Sequence, residues 1–378
     1  MVTIARGVGE GATAIAVADG PADNQPTSPA IAVHTLLGDD VLMALGEKQG
    51  HGDAGRVPVA VLTPAPAWRP RPARDGGAAG RPVIALVDTG VEHHPWLDGS
   101  PSPDDPIVLH AEERGWHPPH DLPASPLFRG HATFLAGVIR QMAADCRILS
   151  VKLMGNDGSV QGTDSLRALD WLAAEAESGD RDRFVDVVCL AYGYAPNSDG
   201  TGSDGTGSDD AGHTADLRAA LERLVRAGVL IVASAGNGGT DAKTYPAAFA
   251  AEPALSAAVV SVGATNPGGS YAHYSNWGGW VTFKAVGSGV ISTMPSFNGP
   301  LHSPDQSSYP DAKGVTIDPD NFRDGFARWS GTSFSAATIA GLLGQALSDD
   351  AAAGNRAERI SRALAAIEPY RNRHEYRS

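Results

Sequence analysis

The sequence predicts an α/β fold, a mainly parallel sheet with helices on both faces, and two kinds of segment predict it. Short, predominantly apolar runs, Val83 to Val87, Arg147 to Leu153 and Val185 to Ala191, have the composition of strands buried on both faces. Between and after them lie segments whose apolar residues recur every three to four positions, as on one face of a helix. Strands alternating with helices in this way build a parallel sheet, because each parallel return needs a crossover. Ligands of such sheets bind beyond the carboxyl ends of the strands.

Taken in order, residues 1–80 stand apart. They are rich in Ala, Pro and Gly, and they end in a breaker-dense stretch from Pro64 to Pro82. Two apolar runs, Ile31 to Leu37 and Val57 to Leu62, flank a helical stretch at Asp40 to Lys48. This region reads either as a small β-α-β appendage or as an extension without regular structure. Residues 81–378 read as one large domain, and its first strand runs into Asp88-Thr89-Gly90. Ala132, Phe134, Leu135 and Val138 mark a buried helix that starts near His131. Leu166, Leu169, Leu172, Ala173 and Ala176 mark the next, with Thr163 as its cap and an end near Gly179. Leu217, Ala220, Leu221, Leu224 and Val225 form a third, terminated by Gly228. The strand Val229 to Ala233 follows and leads into Ser234-Ala235-Gly236-Asn237. Gly331-Thr332-Ser333-Phe334-Ser335-Ala336 opens an apolar helical run through Ile339 and Leu343. Asp199 to Asp210 reads as a flexible surface loop whose spacing fits no standard calcium motif. A Pro- and Asp-rich insertion occupies roughly Phe297 to Arg328.

Composition narrows the class. With 378 residues, 42% of them hydrophobic and 19% charged, the chain can bury a substantial core. A net charge of −14 argues against nucleic acid as the main partner, since phosphate binding needs a basic face. The two cysteines, Cys146 and Cys189, are flanked by apolar residues and read as buried free thiols. No stretch has the length of a membrane-spanning helix, and the first residues lack a basic region followed by an apolar one. As written the chain is expected in the cytoplasm, with no membrane partner. His93, His94, His110, His117 and His120 cluster between the Asp-Thr-Gly and Gly-His segments, with Glu92 and Asp121 nearby. Their irregular, proline-broken spacing fits a solvated loop, so no metal and no cofactor are expected. Trp96, Trp116 and Trp171 read as core or loop anchors.

The chemistry-bearing residues sit at strand ends and helix starts. A serine hydroxyl attacks a carbonyl only when a base removes its proton, and a carboxylate must hold that base in the right tautomer. Ser333, at a helix start, is the candidate nucleophile, where the helix's positive end faces charge developing beside Oγ. His131 is the candidate base and Asp88 the candidate carboxylate. Asn237 offers a side-chain amide to the oxyanion beside the Ser333 backbone N–H. Alone, each has a plainer role: a capping serine, a histidine after glycine, a turn aspartate, a turn asparagine. Together, and in this order, they point to acyl transfer.

These segments resemble the subtilisin-like serine peptidases, the subtilases. The resemblance runs from about Pro82 to Leu347 and rests on Val87-Asp88-Thr89-Gly90, Gly130-His131-Ala132-Thr133, Ala235-Gly236-Asn237 and Gly331-Thr332-Ser333. Thr244-Tyr245-Pro246-Ala247, Ser261-Val262-Gly263-Ala264 and Tyr274-Ser275-Asn276-Trp277-Gly278 agree more weakly. The resemblance implies a three-layer subtilisin-like fold and endopeptidase activity through an Asp-His-Ser triad. It also implies a peptide or protein substrate bound as an extended strand. One flank would be Gly158, Ser159 and Val160; the other would be Leu190, Ala191, Tyr192 and Gly193. The primary specificity pocket would be walled by Ala233, Ser234, Ala235 and Gly236 and floored near Thr244, with no charge in it. That suits an apolar or small residue before the cleaved bond.

Several positions depart from the family's pattern. Ala132 and Phe134 stand where a glycine and a second histidine are usual, and Phe334 stands for the methionine after the nucleophile. Ala191-Tyr192-Gly193 replaces Ser-Leu-Gly, and Ala285-Val286-Gly287 replaces Ala-Pro-Gly. None removes a catalytic atom. Three functions remain: an active serine endopeptidase, a catalytically silent peptide-binding protein that kept the fold, and an esterase or acyl transferase using the same machinery.

Overall fold

A computed structural model describes residues 41–43, 60–62, 81–98, 106–118, 122, 128–156, 158–196, 210–297, 307–309, 312–314, 321–349 and 355–373. The chain divides into two compact units, Met1–Gly38 and Asp39–Ser378, and every described residue belongs to the second.

That second unit includes two strands from the region read as an extension, β1 (Val41–Met43) and β2 (Ala60–Val61). Then come β3 (Val83–Asp88), the single helical turn α1 (Pro95–Asp98), β4 (Val108–His110), α2 (His131–Met142) and β5 (Arg147–Lys152). The strand β6 (Ser159–Gln161) runs directly into α3 (Gly162–Glu177), followed by β7 (Val187–Leu190), α4 (Asp210–Arg226) and β8 (Leu230–Ser234). After these stand β9 (Val259–Thr265), β10 (Phe283–Val286), β11 (Val290–Thr293), β12 (Ser307–Tyr309), β13 (Ala312–Gly314) and β14 (Phe326–Trp329). The described chain ends with α5 (Thr332–Asp349) and α6 (Arg356–Ala366).

Seven strands form one sheet in the order β10-β9-β8-β7-β3-β5-β4, every pair parallel. The predicted α/β class is therefore observed. β3, buried along its whole length, lies between β5 and β7, where the winding changes direction. Its carboxyl end carries Asp88, so the crevice that such a change of direction opens lies at the predicted site. Helix α5 lies across β3 and β7 to β10 and packs on α2 and α6, whereas α3 and α4 pack on each other and α4 on β8. Cys146 and Cys189 are buried free thiols whose pKa burial pushes well above the usual range. No helix among the described residues is long and apolar enough to cross a membrane.

Two local expectations are corrected. The stretch Asp40 to Lys48, read as helical, holds the strand β1, which pairs antiparallel with β6 through Val41–Gln161, Leu42–Val160 and Met43–Ser159. An unpaired sheet edge offers the backbone more than a short isolated helix would, so tertiary pairing overrides local periodicity. Thr163 is not a cap: α3 begins at Gly162 behind Gln161, with no side-chain cap bond, because β6 passes into the helix without a capping turn. Most of Asp199 to Asp210 lies outside the described residues, as does His120.

Candidate active site

The site is assembled from the ends of β3 and β8 and the starts of α2 and α5. Gly130 precedes His131 with φ of 85°, and a Cβ there would lie 2.6 Å from Pro295 Cδ, so only glycine lets α2 begin this abruptly. Thr89, next to the carboxylate, accepts the Ala132 N–H with its hydroxyl at 3.1 Å and ties the end of β3 to the first turn of α2. The Asp88 carbonyl accepts the N–H groups of Leu153 and Met154, at 2.9 and 3.1 Å. The strand end is held on every side.

His131 Nδ1 lies 2.9 Å from both carboxylate oxygens of Asp88. A carboxylate only accepts, so Nδ1 carries the proton and donates it. In the neutral tautomer this bond selects, Nε2 is the nitrogen left to accept a proton, as a general base requires. Asp88, His131 and Ser333 are fully buried. Nε2 has no hydrogen-bond partner among the described residues. Ser333 Oγ instead donates to the Ala191 carbonyl at 3.2 Å. Ser333 Oγ and His131 Nε2 are thus not hydrogen-bonded to each other.

Asn237 follows β8. Its Oδ1 accepts the Thr332 N–H at 2.9 Å and the Thr332 hydroxyl at 3.0 Å, and the same hydroxyl accepts the Gly236 N–H at 3.1 Å. With Oδ1 so occupied, the amide orientation is fixed, and Nδ2 is buried without a partner among the described residues. Thr332 and Thr89 hold the candidate residues in place, and the sequence reading passed over both. Both stood in the quoted motifs, but nothing in sequence says what a hydroxyl bonds.

The family departures turn out to be neighbours. The rings of Phe134 and Phe334 lie 4.5 Å apart, and Trp329 packs on both at 5.7 and 5.4 Å. The His131 ring sits against this group, 5.4 Å from Trp329 and 5.7 Å from Phe334. The contact with Phe334 brings the start of α5, and so Ser333, next to His131. Two polar or flexible family residues have been exchanged for one interlocking aromatic pair, a substitution that sequence order alone presents as two unrelated changes.

Among the expected substrate-contacting residues, Gly158, Ser159 and Val160 lie at the β6 edge that β1 occupies. Leu190 and Ala233 are paired neighbours inside the sheet, and their side chains belong to the core. Tyr192 is buried with its hydroxyl 2.9 Å from Ser165 Oγ, so it offers a ligand only backbone. An open cleft of about 580 Å³ adjoins at Thr89 to Glu92, Arg129 and Lys152, but none of Asp88, His131, Ser333 or Asn237 lines it. Of the clustered histidines, His93 pairs with Asp98 at 2.9 Å and His94 is buried. No group of three or more His, Cys, Asp or Glu side chains among the described residues is arranged to hold a metal.

Known proteins bear on this geometry. The chain is 26% identical over 227 residues to subtilisin-like protease 1 of Arthroderma otae, a match covering 58% of this chain and 39% of that one. It is 29% identical over 227 residues to the thermophilic serine proteinase of Bacillus sp. strain AK1, covering 58% and 46%. It thus spans less than half the length of either relative. A solved cold-adapted subtilisin-like serine proteinase matches at 19% identity with a TM-score of 0.48, covering 76% of this chain and 82% of its own. The model of the subtilase family (Peptidase_S8) matches residues 80–365. A match that starts before β3, passes through every segment described above and ends within α6 establishes that the chain belongs to the subtilase family.

Proposed function

We propose that the protein is a serine endopeptidase in which Asp88, His131 and Ser333 form the triad and Asn237 binds the oxyanion. One observation carries this reading. Near Ser333, His131 Nε2 and Asn237 Nδ2 are buried without a hydrogen-bond partner among the described residues, the first an acceptor in the neutral ring and the second a donor, as acyl transfer requires. A buried polar atom without a partner costs roughly 1–3 kcal/mol, so such atoms in a folded core point to a ligand or a reaction.

In the proposed reaction Ser333 Oγ leaves Ala191 and gives its proton to His131 Nε2 while Oγ bonds the substrate carbonyl carbon. The carbonyl oxygen becomes an oxyanion held by Asn237 Nδ2 and the Ser333 backbone N–H, which at a helix start has no intrahelical partner. His131, as imidazolium beside Asp88, then protonates the departing amine as the C–N bond breaks. Water repeats the sequence on the acyl-serine: His131 takes its proton, its oxygen bonds the carbonyl carbon, and Ser333 Oγ leaves with that proton.

The substrate would be an extended peptide beside β6. That edge already accepts an antiparallel strand, β1, which supports strand addition as the mode of binding. Fluorophosphonate labelling followed by intact mass tests the reading: one adduct on the wild type and none on Ser333→Ala is the expected result. No adduct on folded protein, with or without residues 1–43, would leave the silent peptide-binding role in its place. Comparing a peptide amide with an activated ester separates peptidase from esterase activity.

A further inference from the structure

We propose that Arg114, Arg147 and Arg183 bind a small tetrahedral oxyanion, of the phosphate or sulfate class, at the end of the sheet away from the candidate active site. The inference is independent of the acyl-transfer reading above.

The strands fix where these side chains lie. In the β3–β5 ladder Arg147 stands opposite Val83 and Lys152 opposite Asp88. At about 3.3 Å per residue, Arg147 is therefore ~17 Å along the strand from the end that carries the candidate site. A Cβ on Gly344 would lie 2.7 Å from Ile84 Cδ1, so α5 covers the face to which Ile84 points. Side chains alternate along a strand, and Val83 and its partner Arg147 point to the opposite face. The helical turn Ala111–Arg114 after β4 packs on β5, and Arg114 reaches Glu175, near the end of α3, at 3.9 Å.

Two of the three guanidiniums are held in place. Arg114 donates to the carbonyls of Arg183 and Asp182 at 3.3 and 3.0 Å, and Arg183 donates back to the Arg114 carbonyl at 3.3 Å. Arg183 Nε also lies 3.0 Å from both carboxylate oxygens of Glu175. Carbonyls orient a guanidinium without cancelling its charge. Each guanidinium has five N–H groups, so both keep donors beyond these bonds.

Positive charge is left over. Glu175 is buried, with 6% of its side chain exposed, and answers Arg114 and Arg183 together. Arg147 is 8% exposed, and its Nε is buried with no hydrogen-bond partner among the described residues. Burial lowers the pKa of Arg114; Glu175 and Asp180 oppose the fall, and Arg147 and Arg183 add to it. Three cations thus face two carboxylates, and the second of these, Asp180, is exposed. A buried guanidinium without a counter-charge is unfavourable. A compact oxyanion supplies both the missing charge and the acceptors that planar N–H forks match.

The test titrates the full chain with inorganic phosphate by calorimetry, with sodium chloride holding the ionic strength constant. One phosphate should bind each wild-type chain, and sulfate should compete with it. Arg147→Met should weaken binding at least ~10-fold, the loss expected for one hydrogen bond between charged groups. Arg147→Lys keeps the charge without the fork and should fall between the two. Because Arg147→Met removes a buried cation that has no partner, it should unfold in phosphate-free buffer at a temperature no lower than the wild type. Phosphate should raise that temperature for the wild type alone. No saturable binding to the wild type, or equal affinity in Arg147→Met, would overturn the proposal. A lower unfolding temperature for Arg147→Met without phosphate would do the same, since Arg147 would then serve the fold unaided. Asn237→Ala should bind phosphate as the wild type does; a loss there would move the anion to the candidate oxyanion donor and overturn the proposal as well.

Discussion

Acid should weaken this protein through one histidine outside the proposed triad. His94 is buried, its Nδ1 accepts the Trp96 N–H at 3.1 Å, and its Nε2 lies 2.9 Å from the Gly325 carbonyl. Only the neutral ring with the proton on Nε2 satisfies both partners. The ring also packs edge-on against Phe326, with ring centres 5.0 Å apart. Burial holds its pKa down to about 4 from 6.5; the bond to Gly325 opposes this and nearby His93 assists. Above pH 6.5 the ring is neutral in both folded and unfolded chains and contributes no pH dependence. As the pH falls from 6.5 towards 4, the unfolded chain binds a proton that the folded one refuses, and stability declines. Below 4 both bind it and the loss levels off. At about 1.4 kcal/mol per pH unit, the gap amounts to ~3 kcal/mol at most. Urea denaturation of wild type and His94→Gln between about pH 7 and pH 4 measures it: the wild type should lose ~3 kcal/mol more than the variant over that range. A difference between the two proteins that stays flat across the range would refute the reasoning. The tie matters for the site because it joins the turn after Asp88 to the residue preceding β14, the strand that leads into Ser333.

Three further outcomes are expected. Asn237→Ala should lower kcat for a peptide amide roughly 10²–10³-fold with little change in KM, the range typical of losing one oxyanion donor; the same variant leaves the Thr332 N–H unpaired, so urea denaturation should also show a loss of about 1–3 kcal/mol. Gly344→Ala puts a Cβ 2.7 Å from Ile84 Cδ1 and 2.9 Å from Cys146 Sγ, where α5 crosses β3, and should destabilise by about 1–3 kcal/mol in the same assay; an unchanged midpoint would mean that the helix shifts freely. Deleting residues 1–43 removes the strand paired on β6 and should raise the rate of fluorophosphonate labelling of Ser333; an unchanged rate would mean that β1 does not compete for the edge.

The sequence by itself determined the sheet and singled out the candidate reacting residues. Val83 to Val87 can be little other than a strand buried on both faces, and Gly228 after a helical apolar stripe ends that helix wherever the stripe packs. These are local consequences of period and backbone freedom, and they place Asp88, His131, Asn237 and Ser333 at strand ends and helix starts. What only the tertiary structure decided are contacts between segments far apart in the chain. That the hydroxyl and N–H of Thr332 hold Asn237 in one orientation, that Phe134 and Phe334 are a single packed pair, and that Asn276 reaches the Thr244 hydroxyl all depend on side chains brought together by the crossovers. The strand at Val41–Met43 shows the same principle at the backbone. Its local pattern reads as helical, and the free edge of β6, more than a hundred residues away, makes it extended, because paired N–H and C=O groups outweigh the weak preference of a short segment.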